Sequence, residues 1–298
     1  YNREFCIEQA IKSVREQSYN NLEIIVIDDC STDETYLKLL EFGNTIKIIH
    51  HEKNKGAAAA RNTGIKAANG DIITFLDSDD LWMPEKVEKQ VLILNKVGDD
   101  VPCCLCNTII KETNGKEEYF FDIYSLLSNI KEGLCLNILY MVATRFVMLP
   151  QAIAIRREAI GILGGFNETI KFNEDHELSL RLATLGAWAY TNEPLVIWNK
   201  GSENSIEKQS LLNKQQLSKD NYYIYSQFIK NNNLPFFVKS ILNYKVFIMY
   251  LYSHLIPYNG MGRFVTCCDR LVMGLFRRSP LYPQMKTIPI TQKINKVG

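Results

Sequence analysis

Residues 71–77 read Asp71-Ile72-Ile73-Thr74-Phe75-Leu76-Asp77, and Ser78-Asp79-Asp80 follow directly. A short β-branched and aromatic run ending in acid reads as a buried strand of a parallel sheet. Upstream, Glu23-Ile24-Ile25-Val26-Ile27-Asp28 has the same form, with Asp29 next to it. Around these runs the pattern alternates. Residues 4–17 place Ile7, Ala10, Ile11 and Val14 on one helical face. Residues 33–42 are helical, with Ser31 or Asp33 as N-cap. Residues 46–51 form a strand, 56–68 a helix, 84–95 a helix opened by Pro84, and 103–110 a strand. This order predicts an α/β fold, a Rossmann-like, mainly parallel central sheet flanked by helices. Ligands bind beyond the carboxyl ends of such strands, and the acids lie at those ends.

The rest of the chain is less regular. Asn114-Gly115 marks a hairpin turn, a helical piece is expected over 123–130, and 172–185 returns to helix. Beyond residue 201 the pattern is mostly helical, punctuated by Pro235, Pro257 and Pro280. We therefore expect a catalytic domain over 1–200 and a helical, basic C-terminal region over 201–298. The first carries 21 Lys+Arg against 29 Asp+Glu, the second 13 against 4, within a chain of net charge +1. An acidic body suits a cation, and a basic tail suits an anionic surface. The apolar fraction of 46% excludes disorder. Eight Cys show no Cys-x-x-Cys pair, so reduced, packing thiols are expected and a zinc site is not. No signal peptide is visible in a sequence that begins at Tyr1, and no uninterrupted apolar run of membrane-spanning length occurs in it.

Four motifs carry chemistry. Asp77-Ser78-Asp79-Asp80 puts three carboxylates within four residues, which repel one another unless a cation sits among them. Oxygen ligands suit Mg2+ or Mn2+. A solvated acidic turn would explain the same letters, but not their place after a buried strand. Asp28-Asp29-Cys30-Ser31-Thr32-Asp33 is in part a capping turn, which leaves two adjacent strand-end acids unexplained. Asn54-Lys55-Gly56 leads into four alanines and Arg61, which could meet an anion or a base. Asn173-Glu174-Asp175-His176 opens a helix whose dipole favours acid, and it also supplies a carboxylate base. A lone His such as His176 is more often structural.

Together with Tyr1-Asn2 and GGFNE (164–168), the segments VIDDCSTD (26–33), NKGAAAARNTG (54–64), FLDSDDLWMP (75–84) and NEDHELSLRL (173–182) resemble family 2 glycosyltransferases, which have a GT-A fold. Order and spacing match over roughly residues 1–200. The resemblance implies that Asp28, with Asp29, binds the nucleotide base beside Tyr1, and that Arg61 faces base or ribose. It implies Asp77 on the ribose, Asp79 on a metal at the diphosphate, and Asp80 in the same shell. Asp175 would be the general base, supported by Glu174, with GGFNE on the acceptor side. One base and one in-line displacement imply inversion at the anomeric carbon.

The resemblance has departures. The family's opening strand is expected just before Tyr1, and its absence points to a truncated sequence. Where the family often carries Arg-x-His, this chain has Trp198-Asn199-Lys200, so Lys200 is expected to meet phosphate. No Gln-x-x-Arg-Trp motif is present, which implies single rather than processive additions. The expected partners are a nucleotide-sugar donor, UDP-linked by preference, and a glycan or lipid-linked acceptor of cell-surface polysaccharide synthesis. Residues 263–278 place Phe264, Cys268, Leu271 and Leu275 on one face flanked by Arg, which suits peripheral contact with the inner face of the cytoplasmic membrane. No nucleic-acid pattern is seen. The competing classes are a non-catalytic nucleotide-sugar-binding domain and a metal-dependent nucleotidyltransferase.

Overall fold

The computed structural model describes residues 1–123, 130–144, 148–200, 212–254 and 287–290. The elements are α1 (Ile7–Arg15), β1 (Ile25–Asp28), α2 (Thr35–Leu40), β2 (Lys47–His50), α3 (Ala57–Ala67), β3 (Ile72–Thr74), β4 (Leu81–Trp82), α4 (Lys86–Val97) and β5 (Cys103–Lys111). Then come β6 (Glu117–Tyr119), α5 (Phe120–Ile123), β7 (Glu132–Cys135), α6 (Ile138–Thr144), β8 (Ile153–Arg156), α7 (Arg157–Leu163), α8 (Glu174–Leu182) and β9 (Trp188–Asn199). The last are α9 (Lys214–Asn231), α10 (Phe236–His254) and β10 (Thr287–Pro289). The helix expected over 263–278, Cys267, Cys268, and most of the helical piece over 123–130 lie outside the described residues.

The α/β class and the flanking helices are as expected, but the sheet is mixed. Strands β1 and β2 pair in parallel as a separate ribbon. The larger sheet runs β10-β7-β9-β5-β8-β3, with β4 on β9 and β6 on β5. Only β5–β9 is parallel in it; β8 lies antiparallel between β3 and β5. Strands β3, β5 and β9 therefore point the same way and deliver their carboxyl ends to one side. The antiparallel partners come from the part of the chain after residue 111, where the apolar runs are broken. In β9 the break is Asn192-Glu193-Pro194, and the register slips where Pro194 meets Asn107, a position that tolerates Pro. The Asn114-Gly115 hairpin joins β5 to β6 as expected.

One core runs under the site. Cys103, Leu105 and Cys106 of β5 pack with Met141, Ile153, Leu178 and Trp188. Helices α9 and α10 add Ile224, Phe228, Ile241 and Leu242 to it. Burial raises the thiols of Cys103, Cys104 and Cys106, which act as small apolar side chains. Lys86 is fully buried, with no carboxylate partner among the described residues. Its ammonium donates to Thr74 Oγ1 (2.9 Å) and Gln90 Oε1 (2.8 Å), and lies 4.1 Å from the Trp82 ring centroid. Gln90 donates onward to the carbonyls of Cys104 and Ala152. The end of β3 is thereby locked to β5 and β8, which fixes where the acidic loop begins.

Candidate active site

The parallel register of β1 and β2 sets Asp28 opposite His50. His50 Nδ1 meets Asp28 Oδ2 at 2.8 Å, and His51 Nδ1 meets Asp29 Oδ1 at 2.7 Å. Asp28 also accepts from Ser31 Oγ at 2.5 Å. Asp29 accepts the N–H groups of Lys55 (2.8 Å) and Gly56 (2.7 Å), where α3 begins. Both acids expected to read the base are thus strongly engaged within the chain, and Asp29 holds the turn that leads into α3. Neither Ser31 nor Asp33 is the N-cap of α2; that position is Glu34, although Asp33 Oδ1 accepts from Thr35 N.

Tyr1 is half-exposed beside this loop, held through Asn2, whose N–H donates to Ser31 Oγ and whose Oδ1 accepts from Thr32 N. Arg3 follows, with its N–H on Thr35 Oγ1 and its Nη2 3.5 Å from Asp79 Oδ2. Sequence reasoning missed Arg3. Its position directly after Tyr1-Asn2 was the available signal.

The loop after β3 holds the second group. Asp77 is 37% exposed and accepts from Arg61 Nη2 through Oδ1 alone (2.8 Å). Asp79 is 20% exposed. Asp80 is buried, and its two oxygens accept from Asn199 N (2.9 Å) and Gln151 Nε2 (2.8 Å). Burial, with Asp77 and Asp79 nearby, holds its carboxyl well above the usual range. Asp80, expected in the metal shell, is buried and braces the loop against β9, whereas Asp79 stays more open. Asn199 also donates to the Asp79 carbonyl (2.7 Å). Lys200, one residue on, thus stands at the rim of the acidic loop, its ammonium 5.7 Å from the Trp198 ring centroid.

Arg61 joins this loop to α8. Its Nη1 donates to Glu174 Oε1 at 2.7 Å, and its guanidinium lies 5.3 Å from the Phe166 ring centroid. Asp77 and Glu174 hold Arg61 charged despite burial. Next to Glu174, desolvation pushes Asp175 up to about 7, with the Glu174 charge adding and Arg61 opposing. Asp175 Oδ1 accepts from His176 N at 2.7 Å. Burial, aided by Lys245, lowers His176 to about 3, and its ring packs edge-on to Tyr225. His176 is a neutral packing residue.

GGFNE is clamped from two sides. Asn62 exchanges hydrogen bonds with the Phe166 backbone and donates to Glu168. Arg181 donates to the carbonyls of Leu163 and Gly165. Gly165 has φ +81°, and a Cβ there would lie 2.5 Å from Asn62 Oδ1, so only glycine fits. Among the described residues, the non-glycine positions with left-handed backbone are Asn2, Cys30 and Asn173. All three flank this site, where such strain tends to concentrate.

Among the described residues no three His, Cys, Asp or Glu side chains enclose a metal by themselves. The donor set still fits Mg2+ or Mn2+, which commonly bind one or two carboxylates and take the remaining ligands from substrate phosphates and water. Asp79 is the protein ligand on offer, with the second oxygen of Asp77 beside it.

An acidic loop at the carboxyl end of a mixed sheet, faced by a carboxylate-bearing helix start, defines the GT-A class of nucleotide-sugar enzymes. The glycosyl transferase family 2 model matches residues 1–152. The chain belongs to that family, and its enzyme type is that of a glycosyltransferase. It is 48% identical over 97 residues to the UDP-Glc:alpha-D-GlcNAc-diphosphoundecaprenol beta-1,3-glucosyltransferase WfgD of Escherichia coli, covering 32% of this chain and 38% of that protein. The chain thus spans well under half of that relative's length. The fold matches S. aureus TarS 1-349 in complex with UDP-GlcNAc, at TM-score 0.68 and 20% identity over 92% of this chain and 76% of that one. It also matches the mannosyltransferase PcManGT of Pyrobaculum calidifontis in complex with GDP-Man and Mn2+, at TM-score 0.58 and 18% identity over 100% of this chain and 76% of that one.

Proposed function

We propose that the chain transfers one sugar, with inversion, from a nucleoside diphosphate sugar to a hydroxyl of a glycan or lipid-linked acceptor. UDP is the favoured nucleotide, and cell-surface polysaccharide synthesis the setting. The observation that carries this reading is Arg61, which bridges Asp77 and Glu174. It brings the acidic loop and the start of α8 to one place, and so sets Asp175 beside the donor loop.

In this reading Asp77 meets the ribose, and the Asp28–Asp29 loop, with Tyr1, frames the base. Asp79 holds a Mg2+ or Mn2+, which when bound supplies positive charge to the departing diphosphate. Lys200, at the loop's rim, adds charge to the phosphates. Asp175 takes the proton of the acceptor hydroxyl, and a carboxyl titrating near 7 suits a base at neutral pH. Glu174 holds Arg61 and raises the basicity of its neighbour. GGFNE, rigid between Asn62 and Arg181, lines the acceptor side. A catalytic body over 1–200 and a mostly helical region over 201–298 belong to the same reading, as does peripheral attachment to the inner face of the cytoplasmic membrane. The acceptor named for the Escherichia coli relative supports the lipid-linked alternative.

The test is the anomeric configuration of the product, read by NMR with an α-linked UDP-sugar and a polyprenyl-diphosphate-linked acceptor. A β-linked product, lost in Asp175→Asn, is expected. An α-linked product would overturn the assignment of Asp175 as sole base.

A further inference from the structure

Helix α10 is apolar on two sides. Val238, Ile241, Leu242 and Ile248 enter the core, yet Phe236, Phe247 and Tyr250 are exposed on the other face, Phe236 by 85%. A helix with apolar side chains on both faces buries one in its own fold and leaves the other for a partner or lipid. Among the described residues, Phe236 and Phe247 of the outer face remain exposed. The neighbouring helix extends the same surface: Tyr222 of α9 lies 5.9 Å from Tyr250 of α10 between ring centroids, and exposed Tyr223 follows it.

Charge identifies the partner. Residues 212–254 contain Lys214, Lys219, Lys230, Lys239 and Lys245, and their one acid is Asp220. Asp220 is buried, accepting from the N–H groups of Lys171 and Phe172. The exposed charge of the hairpin is therefore all positive. Lys219 shares the α9 face with Tyr223, and Lys239 shares the α10 face with Phe236 and Phe247. Aromatic rings at the headgroup level with Lys around them are the composition of a surface lying on anionic lipid. Among the described residues no helix is long and apolar enough to cross a membrane. With Lys239 and Lys245 inside it, α10 is suited to lie flat.

We propose that the outer face of the α9–α10 hairpin, centred on Phe236, Phe247 and Tyr250 with Lys219 and Lys239, docks on an anionic membrane surface. It stands whether or not Asp175 is the catalytic base, and it gives the lipid-linked acceptor a route to the site.

The experiment is flotation of the full chain with phosphatidylglycerol-containing vesicles and with pure phosphatidylcholine vesicles. Binding to the anionic vesicles alone is expected, reduced about tenfold by Lys219→Glu with Lys239→Glu and likewise by Phe236→Ser with Phe247→Ser. Unchanged nucleotide binding in both double variants certifies that they are folded and keeps this test apart from that of the active site. Undiminished flotation of folded variants would overturn the proposal, as would failure of the parent to float. A parent that is dimeric without binding lipid, and that Phe236→Ser with Phe247→Ser turns into a monomer, would assign the face to a second copy and equally overturn it.

Discussion

Arg61 donates to Glu174 at 2.7 Å, linking α3 to the start of α8 across 113 residues of sequence. The same guanidinium holds Asp77, so one side chain spans the donor loop and the base-bearing helix. Replacing Arg61 with Ala leaves a buried carboxylate without its counter-charge. Loss of one partner of a buried pair costs about 3–5 kcal/mol. Urea unfolding is expected to show a drop of that order, and turnover is expected to fall in the variant that remains folded. An unchanged midpoint would contradict the bridging role.

Asp175 gives a pH signature with opposite signs for rate and stability. Its carboxyl rises from an ordinary 3.8 to about 7 in the fold. The base must be ionised, so kcat/KM is expected to fall about tenfold per pH unit below about 7. Between those two values the folded state holds a proton that the unfolded state has lost. Stability from this group is thus full below about pH 4 and declines as pH rises toward 7. Asp175→Asn is expected to lose about 100-fold or more in kcat and to be more stable than the parent above neutrality. Thermal unfolding across pH, paired with rate profiles, checks both.

Asp29 holds the turn before α3 through the N–H groups of Lys55 and Gly56 and orients His51. Asp29→Ala leaves those groups without their acceptor and is expected to lose about 2 kcal/mol of stability, measured by denaturant titration. Loss of nucleotide affinity with unchanged stability would return Asp29 to a purely ligand-binding role.

Arg3 lies 3.5 Å from Asp79 and offers it positive charge. A cation at Asp79 must compete with that charge. Arg3→Ala is expected to bind Mn2+ alone several-fold more tightly than the parent, by calorimetry or by electron paramagnetic resonance of free Mn2+. Equal or weaker affinity would show that the contact does not tune Asp79.

The strands that carry the acids were legible because they are short, continuous apolar runs ending in carboxylates. So was the start of α8, where Glu174 and Asp175 precede a helical period. The sense of the sheet was not legible. Strand β8 is only Ile153–Arg156, and its antiparallel insertion between β3 and β5 rests on contacts far apart in sequence. The bracing role of Asp80 was not legible, because sequence cannot show that Asn199 and Gln151 donate to its two oxygens. The pairing of Asp28-Asp29 with His50-His51 was within reach, since adjacent parallel strands ending in two acids and two histidines bring them side by side.

In the proposed reaction Asp79 serves the donor diphosphate and Asp175 serves the acceptor. Calorimetric titration of UDP, with GDP alongside, in the presence and absence of Mn2+, tests that division most directly. Metal-dependent binding of one nucleotide, lost in Asp79→Ala and kept in Asp175→Asn, is the predicted result. Equal binding by Asp79→Ala and the parent, or no nucleotide binding by the folded parent, would contradict it.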